Sequence, residues 1–325
     1  MSGLLHGGRR RRRANGPVVL AGLLITVGVA VAVWRLWPSD GATTLRAAAA
    51  AAKPLAAHSK LHPRKRTVTL LTVRGRLPHG VAVGARAGAL VDARSGTVLW
   101  AKRPHLRLPI ASTTKIMTAV VALEYLRRSD VVVVDPTVPR VQPFKEGLRA
   151  GERVQAWKLF YGLLLYSGND DALALAIAAG GTWAHFLALM NQKARQLGLK
   201  DTHFRSTSGL IDRDNYSTAW DMAALARYAM WNPRFRAVVR TRVKHVAWSA
   251  PTYAKIYVNH NHLLGSYPGA DGIKTGWTTK AQHCLVASAT RHGVRLIAVV
   301  LASPNADADA RKLLNYGFRT RAGRS

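Results

Sequence analysis

Strand patterns lie at both ends of the folded part of this chain, and helical patterns lie between them. Residues 89–100 form two short alternating runs around Ser95-Gly96, which predicts a hairpin. Near the other end, 284–289 and 294–301 are apolar runs separated by a short turn, as expected for buried strands. This order predicts an α+β fold, in which an antiparallel sheet is built from both ends and a large helical cluster from the middle packs against it.

The central helices are expected to be buried. A long helical pattern starts near Ser112, with apolar residues on one face and beside it. Residues 157–166 and 170–179 are apolar on all sides, which is typical of helices at the centre of a domain. Further helices are predicted to start at Thr182 and Thr218 and to close the chain at 308–316.

The amino terminus has the pattern of a membrane address. Five arginines at 9–13 precede a nearly unbroken apolar run from Pro17 to Trp34, and this order predicts export of the rest of the chain. Ala30-Val-Ala32 offers a cleavage site, so the product is either a single-pass membrane protein or, if cleaved, a secreted one. The predicted divisions are a basic cytoplasmic segment (1–16), a transmembrane signal anchor (17–37), a flexible basic linker (38–78) and one extracytoplasmic folded domain (79–325).

Charge constrains the partners but does not name them. The chain has 48 Lys+Arg against 16 Asp+Glu, a net charge of +32, and the excess extends into the folded part. Anionic wall polymers, acidic lipid and nucleic acid would all be attracted, and the predicted export argues against nucleic acid. The single cysteine, Cys284, excludes an intrachain disulfide and a cysteine-based zinc cluster, and it is interpreted as a small buried apolar residue.

Three short motifs carry the chemistry. Ser112-Thr-Thr-Lys115 opens the first long helix, where residues three apart share a face, so the hydroxyl and the amine can touch. A desolvated, neutral Lys115 could remove the serine proton, and backbone N–H groups at a helix start could hold an oxyanion. Taken alone, the motif is equally compatible with a helix cap followed by a solvated lysine.

The other two motifs are also weak when taken singly. Ser167-Gly-Asn169 falls in the break between two buried helices, where these residue types commonly form a simple turn. Lys274-Thr-Gly276 reads as a strand, with Gly276 leaving room for a substrate backbone to approach closely.

In this order and at these separations, the three motifs are far more specific. The set resembles that of class A β-lactamases and penicillin-binding proteins, whose middle member is often Ser-Asp-Asn. With Gly168 there instead, the chain resembles the low-molecular-weight penicillin-binding proteins, the serine-type D-alanyl-D-alanine carboxypeptidases of the peptidase S11 type. The resemblance runs from about Ala89 to Phe318 and implies a β-lactamase/transpeptidase-like fold. Supporting stretches are 109–118, 167–172, 208–210, 216–221 and 271–276.

The resemblance implies four catalytic residues and a bacterial cell-wall substrate. Ser112 would attack the carbonyl between two terminal D-alanines of a peptidoglycan stem peptide, with Lys115 as general base. Ser167 would relay a proton to the leaving amine, and Asn169 would bond the substrate amide and help hold Lys115. Water would then hydrolyse the acyl-enzyme, and β-lactams would trap it covalently.

It also implies a binding set at the third motif. Lys274 and Thr275 would hold the free carboxylate of the substrate, and Gly276 would let it approach. The backbone N–H groups of Ser112 and Trp277 would form the oxyanion hole, and the bulk of Trp277 would narrow the entrance. No cofactor or metal is expected.

Several alternatives remain open at this stage. A class A β-lactamase needs a glutamate after the middle motif, whereas all three glutamates precede Ser167. A D,D-endopeptidase cutting crosslinks is only weakly excluded, and a non-catalytic wall-binding protein that binds β-lactams would have to keep three intact motifs unused. His260-Asn-His262 lacks an acid for a metal site and is interpreted as a polar strand. Asp170 and Asp171 are interpreted as helix-start charges rather than as catalytic acids.

Overall fold

A computed structural model describes most of the predicted folded domain. The predicted cytoplasmic segment, the predicted anchor and nearly all of the predicted linker lie outside the described residues. The described ranges are 71–75, 77, 80–210, 213–248 and 253–322.

Twelve strands and seven α-helices occur in the described part of the chain. The strands are β1 (Thr72–Val73), β2 (Ala87–Asp92), β3 (Thr97–Lys102), β4 (Leu108–Pro109), β5 (Val131–Val133), β6 (Arg153–Gln155), β7 (Tyr216–Ser217), β8 (Val243–Val246), β9 (Lys255–Val258), β10 (Ala270–Thr278), β11 (Gln282–Arg291) and β12 (Val294–Ser303). The helices are α1 (Lys115–Tyr125), α2 (Ala156–Tyr161), α3 (Asn169–Gly180), α4 (Trp183–Gln196), α5 (Ala219–Ala229), α6 (Pro233–Val239) and α7 (Ala306–Ala322).

Both ends of the domain contribute to one six-stranded sheet. Its strand order is β1-β3-β2-β12-β11-β10, so β12 from the C-terminal part lies beside β2 from the N-terminal part. All pairings are antiparallel except the short parallel pairing of β1 with β3. The predicted α+β architecture and the predicted hairpin are therefore confirmed.

The sheet is buried on both faces, and alternate residues of its strands enter two separate cores. On β12, Leu296 and Val300 pack with α7, whereas Ile297 and Val299 face the helical cluster. On β2, the same alternation packs Leu90 with α7, whereas Val91 faces the helical cluster. A strand covered on both sides reads as a continuous apolar run, which explains the sequence pattern of the last strands.

The helical cluster is centred on α1. Every residue of α1 from Lys115 to Glu124 is buried, including both charged ends of that stretch. The side chains of Thr182 and Thr218 cap α4 and α5 by accepting backbone N–H bonds three residues on. The predicted caps thus lie where expected.

Three local expectations differ from the structure. The folded domain begins before residue 79, because Leu71 is buried and β1 pairs with β3. The sequence predicts that the helix from Thr218 ends before Pro233 with no helical pattern after it, but a short helix, α6, begins at Pro233, where proline fits because the first helical position needs no backbone donor. The segment His260–His262 is not a strand, since the side chains of Asn259 and Asn261 accept N–H bonds two residues on and turn the chain after β9.

No single described helix is long and apolar enough to cross a bilayer. Helices α3 and α4 reach the length and apolar composition of a membrane span only when they are taken together, and their axes are bent by 86° to each other.

Candidate active site

Ser112 lies in a tight turn directly before α1. Residues Ala111–Thr114 form one 3₁₀ turn, and Lys115 begins the α-helix. Ala111 has a φ of +46°, a backbone conformation that non-glycine residues rarely adopt and that is commonest at functional sites. The predicted nucleophile therefore lies in the turn before the helix rather than within it.

Lys115 is the centre of the site. Its Nζ lies 3.0 Å from Ser112 Oγ, 2.8 Å from Asn169 Oδ1 and 3.0 Å from the backbone oxygen of Ser208. A neutral amine has two hydrogens, which the amide and the carbonyl can accept, and one lone pair, which can receive the serine proton. The three contacts therefore match the hydrogen-bonding capacity of a general base.

Electrostatics favour that neutral form. Lys115 is fully buried, and desolvation together with the nearby charge of Lys274 holds its pKa well below the ordinary lysine value. Ionised Asp171 and Asp170 would oppose this lowering of the Lys115 pKa, but more weakly. Burial thus favours the unprotonated form that a general base needs.

The segment Ser167-Gly-Asn169 connects the two central helices as predicted. A π-helical turn over Gly162–Tyr166 ends α2, and Ser167 adopts a left-handed conformation with φ of +73°. A side chain on Gly168 would place its Cβ 2.0 Å from Asp171 Oδ2, so the close approach of that carboxyl group requires glycine. Ser167 lines the same cleft as Ser112.

Two backbone oxygens of a neighbouring loop, which the sequence pattern could not reveal, fix the orientation of Asn169. Its Nδ2 donates to the oxygen of Gln142 at 3.1 Å, and its backbone N–H donates to that of Phe144 at 2.8 Å. With both bonds made, Oδ1 points at Lys115. Sequence reasoning missed this loop because any residue can supply a carbonyl, and it assigned no role to Ser208 for the same reason.

The third motif lies on β10, at one edge of the sheet. A Cβ on Gly276 would lie 2.9 Å from the backbone nitrogen of Ser112 and 3.0 Å from that of Thr113. Glycine at this position therefore lets β10 pack closely against the turn Ala111–Thr114, which carries Ser112. Lys274 is 1% exposed, and desolvation lowers its pKa to about 7. Its Nζ donates to the oxygen of Thr275 at 3.0 Å.

One open cleft of about 600 Å³ joins these motifs. Ser112 and Ser167 line it together with Thr275, Gly276 and Trp277, and the Trp277 side chain is 58% exposed at this surface. The remaining lining residues are Phe144, Tyr166, His260, His262, His283, Cys284, Leu285, Pro304, Asn305, Ala306 and Asp307.

The two histidines singled out in the sequence lie in this cleft but do not form a metal cluster. His262 Nδ1 is 3.0 Å from Asp307 Oδ2, an acid that the sequence pattern did not reveal. Burial and the charges of Lys274 and His262 lower the pKa of His260. Among the residues that the structure describes, no group of three or more His, Cys, Asp or Glu side chains could hold a metal ion.

Acidic residues near the site serve structural contacts. None of the three glutamates lines the cleft: Glu124 pairs with Lys193, Glu146 pairs with Lys255, and Glu152 accepts from the indole of Trp248. Asp170 and Asp171 lie in the first turn of α3, as predicted for helix-start acids, and both are completely buried. Asp170 accepts the backbone N–H groups of residues 146–148 instead of facing solvent.

The geometry suits acyl transfer through a serine. The Ser112 hydroxyl lies within hydrogen-bonding distance of the buried Lys115 amine, and a second buried lysine, Lys274, lies on β10. The backbone of β10 packs against the turn that carries the hydroxyl. This arrangement is what a serine nucleophile, a neighbouring base and a set of oxyanion donors require.

Comparison with known sequences agrees with the site. The D-alanyl-D-alanine carboxypeptidase family, Peptidase_S11, matches residues 75–305. A D-alanyl-D-alanine carboxypeptidase of Streptomyces sp. (strain K15) is 39% identical over 259 residues, covering 73% of this chain and 88% of that protein. DacF of Bacillus subtilis, of the same description, is 32% identical over 254 residues, covering 75% of this chain and 64% of its own length.

Solved structures show the same fold. The crystal structure of the Streptomyces K15 DD-transpeptidase aligns with a TM-score of 0.69 and 35% identity, covering 75% of this chain and 99% of that one. A penicillin-binding protein homolog from Mycobacterium tuberculosis aligns with a TM-score of 0.70 and 32% identity, covering 75% and 96%. The fold expected from the three motifs is confirmed.

Proposed function

We propose that Ser112 is the nucleophile of this chain and that Lys115 is its general base. The chain belongs to the D-alanyl-D-alanine carboxypeptidase family of serine peptidases. The chain is thus a serine-type D-alanyl-D-alanine carboxypeptidase, and the proposal concerns which atoms carry out each step. The observation that carries it is the 3.0 Å contact between Nζ of the fully buried Lys115 and Oγ of Ser112, which lines the open cleft.

In acylation, neutral Lys115 takes the hydroxyl proton as Ser112 Oγ bonds to the carbonyl carbon between the two terminal D-alanines. The peptide C–N bond then breaks and the amine leaves with a proton. Ser167 lines the cleft beside the nucleophile and relays that proton. Asn169 holds Lys115 through Oδ1, and its anchored amide keeps the base aimed at the hydroxyl.

Substrate binding falls to β10 and the nucleophile turn. Lys274 and Thr275 bind the terminal carboxylate, and the backbone N–H groups of Ser112 and Trp277 hold the developing oxyanion. The close approach of Gly276 to the Ser112 nitrogen supports this, because it aligns the strand with the turn. Binding a carboxylate stabilises the charged form of Lys274, whose pKa burial has lowered.

The substrate is the stem peptide of peptidoglycan, and β-lactams acylate Ser112 by presenting a similar carbonyl and carboxylate. The catalytic domain lies outside the bacterial cell membrane and is attached through the single-pass segment 17–37, or is released if that segment is cleaved. The positive charge of the chain supports contact with anionic wall polymers.

A D-alanine release assay on a stem-peptide mimic tests the proposal. The wild type should release one D-alanine per peptide, and the Ser112→Ala and Lys115→Ala variants should lose activity by at least about a hundredfold. A crosslinked dimer of the same peptide and an added amine acceptor separate the carboxypeptidase from an endopeptidase and from a transferase. Unchanged release by Ser112→Ala would overturn the assignment.

A further inference from the structure

A pair of buried carboxyl groups lies behind the middle motif and has no part in the steps above. Asp171 is on the first turn of α3, and Glu146 is on the loop that precedes β6. The Glu146 side chain is 2% exposed, and Asp171 is completely buried.

The two groups face each other across Gly162. A Cβ on Gly162 would lie 2.3 Å from Glu146 Oε1 and 2.4 Å from each carboxyl oxygen of Asp171. These same three oxygens are buried, and no donor group among the described residues forms a hydrogen bond to them. Two facing carboxylates with three unpaired oxygens between them would be strongly unfavourable, and one shared proton resolves the conflict.

The surroundings decide which group holds the proton. Glu146 Oε2 accepts from Lys255 Nζ at 2.9 Å and from the hydroxyl of Tyr257, so Glu146 has a buried counter-charge and is the ionised partner. Burial and the charges of Glu146 and Asp170 raise the pKa of Asp171 well above the ordinary value, whereas Lys255 opposes this. Asp171 is therefore the protonated partner and donates to Glu146 Oε1.

The pair connects directly to the catalytic groups. Glu146 belongs to the loop whose carbonyls at Gln142 and Phe144 hold Asn169, and Asn169 holds Lys115. An ionised Asp171 would also raise the pKa of Lys115 and weaken it as a base. Keeping Asp171 neutral thus fixes the loop and protects the basicity of Lys115.

We propose that Asp171 and Glu146 share one proton and act as positioning residues that clamp the 142–146 loop onto the segment Ser167–Asn169. The proposal rests on the roles assigned above to Lys115 and Asn169, but the protonation of Asp171 can be measured without reference to either.

Infrared spectroscopy of the full chain tests the shared proton. The C=O stretch of a protonated carboxylic acid should be present at neutral pH in the wild type and absent in Asp171→Asn. The matched control is Glu124→Gln, because Glu124 is also buried with a lysine and a tyrosine as partners but has a different place in the fold. That variant should keep the band. A wild type without the band would overturn the proposal.

Acylation by a β-lactam tests the positioning role. Asp171→Ala and Glu146→Gln should lower the second-order rate constant by about 10- to 100-fold, since loss of the clamp displaces Asn169. Asp171→Asn, which still offers a hydrogen-bond donor, should restore the wild-type rate, and Glu124→Gln should leave it unchanged. Wild-type acylation by Asp171→Ala, or no restoration by Asp171→Asn, would overturn the role. If Asp171→Ala does not fold, the comparison of Glu146→Gln with Glu124→Gln decides in its place.

Discussion

Two buried lysines near one nucleophile have different tasks because their surroundings differ. Lys115 contacts three polar groups that match a neutral amine, and its pKa is lowered by burial and by the charge of Lys274. Lys274 lies on the adjoining strand, where burial alone lowers its pKa to about 7. A charged Lys274 therefore helps to keep Lys115 neutral, and in the proposed mechanism the same charge binds the substrate carboxylate.

This difference predicts a pH dependence. Because the pKa of Lys274 is lowered to about 7, its charge is present at lower pH and is lost as the pH rises through that value. The kcat/KM for a substrate with a free carboxylate should therefore fall on the alkaline side of about pH 7. At low pH, protonation of Lys115 should reduce it again, giving a bell-shaped profile.

The Lys274→Arg variant isolates the alkaline limb. Arginine stays charged throughout the range, so the decline of kcat/KM above neutral pH should shift to much higher pH even if the absolute rate is lower. Kinetics on the same substrate from pH 5 to 10 are the measurement. An unchanged alkaline limb in this variant would show that another group controls it.

At the scale of elements, the close packing of β10 against the 3₁₀ turn creates the site. Gly276→Ala would insert a Cβ 2.9 Å from the Ser112 nitrogen, so the strand must move away from the oxyanion donors. We expect acylation to slow by about 10²- to 10³-fold, the range for loss of one such donor. Stopped-flow acylation with a chromogenic β-lactam measures it.

Gly80→Ala is the matched control, because no heavy atom of the described residues lies within 4 Å of the added Cβ there. It should acylate at the wild-type rate. If Gly276→Ala also acylated at that rate, the strand would not need its close approach to the turn.

The sequence was informative where a side chain or a local pattern carries the structure. The hairpin, the central helices, the caps at Thr182 and Thr218 and the three motifs could all be predicted, because spacing and residue type determine them. The loop that holds Asn169 could not, since backbone carbonyls carry no residue signature. Likewise, the place of Asp171 at a helix start could be predicted, whereas its burial beside Glu146 could not, because Glu146 comes from a separate loop.

At the scale of the whole molecule, one sheet joins the two ends of the domain and places the third motif beside the helical cluster. The whole chain carries a net charge of +32, far more than the two lysines of the site contribute. We expect the charge to act on association with anionic wall material, which long-range attraction would favour at low salt.

Retention on purified cell walls tests this expectation. Binding of the full chain in detergent should weaken steadily as salt rises from low to high ionic strength, because exposed charges separated by more than about 10 Å are screened near 0.1 M. The Ser112→Ala variant should show the same salt response, since the nucleophile contributes no charge. Retention that does not change with salt would contradict a charge-driven association.

Intact-protein mass spectrometry with a β-lactam tests the central claim most directly. The wild type should gain the mass of one β-lactam, peptide mapping should place it on Ser112, and the Ser112→Ala variant should gain nothing. A wild type that stays unmodified, or an adduct that persists in Ser112→Ala, would contradict the assignment of Ser112 as the nucleophile.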